Sequence, residues 1–124
     1  MGSIPLGKVG EITEAVVNML GLSVVPGTPV FIGQTNIAHM MKKHPIEYNK
    51  YGVYIHDIIS APDYIGINPG DGSIEYAKDF PISGDFVKVA VRISKSGKYF
   101  ARSIYILNPS RVQNFIANGT LKKS

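Results

Sequence analysis

The chain of 124 residues contains no cysteine. That excludes disulfides and thiolate metal centres. It suits a reducing cytosol, and equally a domain that crosses a membrane unfolded. No apolar run reaches the roughly 18 residues needed to span a bilayer, and no signal peptide is visible. The opening Met1-Gly2-Ser3 is read as an expression remnant and carries no weight. Internal repeats, linkers and low-complexity tracts are missing as well, so residues 1–7 are read as an N-terminal tail and 8–124 as a single domain.

What is present describes a folded protein: 44% hydrophobic and 18% charged residues, a balance disordered chains do not show. Thirteen Lys and Arg against nine Asp and Glu give a net charge of +4 and a pI near 9.3. A basic surplus favours a polyanionic partner such as nucleic acid, although many basic proteins bind none.

Ile12, Ala15, Val16, Met19 and Leu20 fall at helical spacing, and Gly21 is placed to stop that helix. Val30 to Ile32 reads as a short strand. Thr35 or Asn36 can cap a second helix through about Lys43, which Pro45 ends. A third helix is predicted from about Lys50 to Ser60. The period then changes to two, giving four strands around 64–67, 73–78, 86–94 and 99–107. Asn108, with Pro109 at the first helical position, caps a final helix running to Ala117. The expected fold is α+β: N-terminal helices, a four-stranded antiparallel sheet and a short C-terminal helix.

The last two strands are the most informative. Val87, Val89, Val91 and Ile93 make one face apolar; Lys88 and Arg92 stand on the other. The returning strand adds Arg102, Ser103 and Tyr105. A two-residue turn at Ser96-Gly97 would place Ser103 and Tyr105 with Lys88 and Arg92, and Arg102 opposite. A one-residue bulge would bring Arg102 to the open face instead. The sequence leaves both registers open.

The second helix carries His39 and His44 with Lys43. Five residues apart, the histidines stand about 140° apart round a helix, which is not the i, i+4 pair of a zinc helix. No metal site or cofactor is expected. His44 suits a helix C-terminal cation and His39 a solvated position. Either residue also suits general acid–base catalysis, the role histidine takes most often. Of the seven tyrosines, Tyr76 and Tyr105 are the candidates to touch a base or phosphate. Glu75 stands in a strand as a possible base, with a surface role favoured.

Together these residues suit metal-free cleavage of RNA. His39 and His44 would move protons, Arg102, Ser103 and Tyr105 would stabilise the phosphorane, and Lys43, Lys88, Arg92 and Tyr76 would bind substrate. The product would be a 2′,3′-cyclic phosphate. The alternative is a non-catalytic RNA-binding or interaction module of phage or mobile-element origin.

The segments Asn36–Pro45 (NIAHMMKKHP), Pro62–Gly66 (PDYIG), Ser73–Tyr76 (SIEY) and Tyr99–Asn108 (YFARSIYILN), taken in that order, resemble the phage-associated branch of the barnase–EndoU–colicin–RelE superfamily of RNases. The resemblance covers roughly residues 8–121. It implies a metal-independent, toxin-like endoribonuclease acting on cytoplasmic RNA, with tRNA among the candidate substrates. By position it matches His39 and His44 to the helix histidines and Arg102 with Ser103 to a basic and hydroxyl pair, with Tyr105 and Lys88 as further matches. An RNase of this kind calls for a neutralising antitoxin or immunity protein, and no membrane partner.

Overall fold

A computed structural model describes residues 7–124. Strand β1 (Gly7–Ile12) leads into helix α1 (Glu14–Leu20), where the Thr13 hydroxyl accepts from the Val16 amide and Gly21 ends the helix in the left-handed region at φ 63°. That is the conformation only glycine adopts without a steric penalty. Strand β2 (Thr28–Ile32) returns antiparallel to β1. Helices α2 (Gln34–Lys43), α3 (Pro45–Tyr51) and α4 (Ile55–Ser60) follow, with one 3₁₀ turn at Gly52–Tyr54. Next comes an antiparallel meander: β3 (Tyr64–Ile67), β4 (Ile74–Phe80), β5 (Asp85–Ile93) and β6 (Tyr99–Leu107). Helix α5 (Pro109–Ala117) and strand β7 (Leu121–Lys123) complete the chain, β7 pairing antiparallel with β3.

The strand order is β1-β2-β6-β5-β4-β3-β7. The protein is α+β, but the expected N-terminal helices before a four-stranded antiparallel sheet are overturned. Among the described residues the sheet has seven strands and is mixed, because β2 runs parallel to β6 through Val30↔Tyr99 and Phe31↔Phe100. The first described element is a strand, and most helices stand mid-chain. Ile12, expected as the opening of a helix, closes β1. The expected helix from 50 to 60 is broken by the 3₁₀ turn, and Pro45 both ends α2 and takes the first position of α3, where its missing N–H costs nothing. Of the expected tail, 1–7, only Gly7 lies within the described residues.

Alternation sorts the two faces of the sheet. Ile74, Tyr76, Val87, Val89, Val91 and Ile104 point to one side and are buried against Met40 of α2 and Ile55, Ile58 and Ile59 of α4. On the other side α5 reaches one end of the sheet, where Val112 meets the region of Phe86 and Leu107. The centre of that side opens only through a cleft, whose floor residues Glu75, Lys88 and Ala90 are buried. Close approach also fixes the far edge: a side chain on Gly66 would place its Cβ 1.8 Å from the Thr120 carbonyl oxygen, so β7 lies against β3 only because residue 66 has none.

Strand β2 pairs with β6 only at Tyr99 and Phe100. Beyond that point α2 packs along β6 in its place. Met40 of this helix enters the core, while His39 comes to the side of the open face.

Candidate functional site

The ladder between β5 and β6 settles the register the sequence left open. Val91 faces Ala101 and Ala90 faces Ser103, so Arg102 is an extra residue in β6. The turn is not the two-residue Ser96-Gly97 hairpin. The ladder closes with the Ser94 amide on the Lys98 carbonyl at 2.8 Å, and Gly97 takes φ 85°, the three-residue form with a left-handed glycine. The bulge has a chemical consequence. Arg102, Ser103 and Tyr105 all line one cleft of about 220 Å³ on the open face, with Lys88 and Arg92 of β5 and His39 of α2.

The cleft floor is a buried ion pair. Lys88 Nζ donates to Glu75 Oε2 at 2.9 Å, with side-chain exposures of 9% and 4%. Asn68 Nδ2 donates to the same oxygen at 3.3 Å. Lys88 Nζ also stands 5.0 Å from the Tyr105 ring centre and 5.4 Å from that of Phe115. The ammonium is thus held by a carboxylate on one side and aromatic faces on the others. Glu75, favoured from sequence as a surface residue, is instead buried in the site.

One wall is the β3–β4 loop. The Asn68 carbonyl oxygen of the side chain accepts from the Gly70 amide at 2.7 Å, and Asp71 Oδ1 from the Ser73 amide at 2.9 Å. These local bonds fix the loop shape. Hydrogen bonds from Ser73, helped by Arg92 at 4.0 Å, hold the Asp71 carboxyl below its usual range. Asn68, Asp71 and Ser73 were not anticipated. The available signal was polar residues in a Gly- and Pro-rich loop at the end of a strand pair.

The opposite wall is α2. His39 is exposed there and lines the cleft. His44 does not line it. It joins α2 to α3, with Nδ1 3.3 Å from Glu47 Oε2, and sets its ring edge-on against Tyr105, centres 4.6 Å apart. Tyr105 therefore sits between Lys88 and His44. Lys43 is exposed and does not line the cleft. Nor does Tyr76, which is fully buried on the core face with a hydroxyl that has no partner among the described residues; burial pushes its pKa up. The third histidine, His56, donates from Nδ1 to the Val9 carbonyl at 2.7 Å and ties α4 to β1. Among the described residues, no three His, Asp or Glu side chains stand close enough to share a metal ion.

Charge in the cleft is unevenly spent. Lys88 is neutralised by Glu75, and Arg92 approaches Asp71, whereas Arg102 forms no ion pair among the described residues. An unpaired guanidinium beside hydroxyls and an imidazole is suited to a phosphodiester. The family model described as phage-Barnase-EndoU-ColicinE5/D-RelE like nuclease3 matches residues 7–114. The chain belongs to this nuclease family. The match runs from β1 into α5 and so includes every residue of the cleft. Comparison with curated proteins and with solved structures gives no match. A nuclease of this family acts on nucleic acid, and the cleft supplies cations, hydroxyls and an imidazole facing one space.

Proposed function

We propose that this nuclease is a metal-independent, toxin-like endoribonuclease that cuts RNA, tRNA among its candidate substrates, by attack of the 2′-hydroxyl on the adjacent phosphate. The observation that carries this reading is the Arg102 bulge, which gathers Arg102, Ser103 and Tyr105 on the face that already holds Lys88 and His39. In the scheme, His39 takes the 2′-hydroxyl proton. Arg102 stabilises the doubly charged phosphorane, where a fixed cation contributes more than it would in water, and Lys88, paired with Glu75, binds the substrate from the cleft floor. Ser103 and Tyr105 donate hydrogen bonds to the phosphorane; the departing 5′-oxygen takes its proton from the Tyr105 hydroxyl, which is replenished through solvent by the proton His39 has accepted. His44 acts through Tyr105, bracing its ring. Arg92 binds flanking phosphate, and Lys43 lies outside the cleft as a longer-range attraction for the strand. The products are a 2′,3′-cyclic phosphate and a free 5′-hydroxyl.

The net charge of +4 supports RNA as the partner and an acidic antitoxin or immunity protein as the natural restraint; the cytoplasm, where such RNA lies, is the proposed place of action. Among the described residues no helix is long and apolar enough to cross a membrane.

The test is cleavage of total RNA by purified protein with EDTA present, followed by analysis of the ends. Cyclic-phosphate ends formed under chelation are expected, and His39→Ala and Arg102→Ala should each suppress them. Activity that vanishes on chelation would overturn the mechanism. Saturable, salt-sensitive RNA binding without cleavage would favour a binding module instead.

A further inference from the structure

The open face does not end at the cleft. Arg102 also lines a second groove of about 280 Å³, bounded by Ser94 and Phe100 of the hairpin and Thr35 at the start of α2. Phe100 stands opposite Arg92 on one side and Phe31 on the other, so all three share the open face. The Phe31 and Phe100 ring centres are 6.1 Å apart, and Lys98 Nζ is 5.5 Å from the Phe31 ring. Both rings are only half-buried. A residue with no role in the core thus keeps an aromatic face in the open, next to the one cation of the cleft that has no ion pair among the described residues.

We infer that this groove is a base-stacking subsite: a nucleotide flanking the scissile phosphate lays its base on Phe100 while Arg102 bridges the two phosphates. This inference rests on the RNase reading above and names its substrate class, single-stranded RNA. Bases paired in an A-form duplex cannot turn out onto a ring, whereas those of a single strand can. The α2 N-terminus contributes only a wall, since the Gly33 amide is already taken by the Asn36 side chain at 2.9 Å. The arrangement of rings interleaved with Lys98 and Arg102 is that of a stacking platform inside an electrostatic track.

The test uses a fluorescent RNA of about twelve nucleotides, within the span that single-strand binding folds cover, with every sugar 2′-O-methylated so that it cannot be cut. Its binding is followed by anisotropy alone and annealed to its complement. The wild-type protein should prefer the single strand by about tenfold. Phe100→Leu keeps apolar bulk against Phe31 but has no π face, and should lose that preference; Phe100→Tyr should retain it. Thermal unfolding of both variants separates misfolding from lost stacking. Equal affinity for strand and duplex, or a preference that survives Phe100→Leu, would overturn the subsite. Cleavage of the unmodified oligonucleotide is scored separately: its absence would sink the RNase reading while leaving the stacking result to stand or fall alone.

Discussion

Deleting Arg102 tests the bulge and the chemistry built on it together. Because Arg102 is the one unpaired residue between Ala101 and Ser103, its removal restores a regular ladder with Val91 still opposite Ala101 and Ala90 still opposite Ser103. Ile104, fully buried, keeps its place in the core. Only the extra twist of the bulge is lost, so the deletion should cost within about 1.5 kcal/mol of Arg102→Ala. Were β6 regular, deletion would instead turn Ile104 and Ile106 outward and Ser103 and Tyr105 inward. Exposing two isoleucines costs about 1.5–3 kcal/mol each, a large share of the 5–15 kcal/mol that holds a domain folded. Urea unfolding followed by far-UV circular dichroism distinguishes the two. On the proposed mechanism, RNA cleavage should fall about 10²- to 10³-fold in both variants, the usual cost of removing one transition-state donor. A deletion variant at least about 3 kcal/mol less stable than Arg102→Ala, or one that unfolds without cooperativity, would refute the register.

Three further outcomes follow from particular contacts. Lys88→Met leaves the buried Glu75 without its partner and should cost about 3–5 kcal/mol, most of it recovered in the double variant Glu75→Gln/Lys88→Met; urea midpoints measure both. Gly66→Ala drives a methyl into the Thr120 carbonyl and should lose more than about 2 kcal/mol, with fast amide exchange at Leu121–Lys123 showing that β7 has left the sheet. Asp85 accepts from Lys50 Nζ at 2.7 Å and from the Tyr51 hydroxyl at 2.5 Å, and its carboxyl is held below the ordinary 3.8 chiefly by Lys50. Its stabilising contribution is therefore complete above the ordinary value and is lost as pH falls through the depressed one. The unfolding temperature of Asp85→Asn should fall less steeply than that of wild type as pH drops below the ordinary carboxylate value, and parallel curves would count against the contact.

Legibility varied with the range of the interaction. The valine alternation of β5 set its core face without help from the rest of the chain, and Asn108 with Pro109 marked α5 because both signals are local. Strand β1 was missed because Gly7 and Gly10 interrupt it and Ile12 also fits the helical spacing that follows. Strand β7 has three residues, and what makes it a strand is the edge of β3 left bare by Gly66. The same limit applied to the cleft. Lys88 and Arg92 were readable from period two alone, whereas Ser103 and Tyr105 joined them in only one of the two registers left open. Whether Arg102 joined them depended on a bulge of one residue, for which both registers satisfied the local pattern. Tyr76 was misplaced as a substrate contact because its ring, on the valine face, serves the core.

The parallel pair of β2 and β6 bears on the order of assembly. The meander from β3 to β6 joins neighbours along the chain, whereas Val30 meets Tyr99 across roughly seventy residues. Closing so long a loop costs entropy before any contact rewards it. We expect the meander to form first, and the β1–β2 unit, with α2 and His39, to dock late and open early. The nuclease would then pass through a state with most of its sheet intact but one wall of the cleft missing, folded to circular dichroism yet inactive. Hydrogen exchange that protects β4 and β5 more strongly than β2 would reveal it; equal protection would show that both walls form in one step.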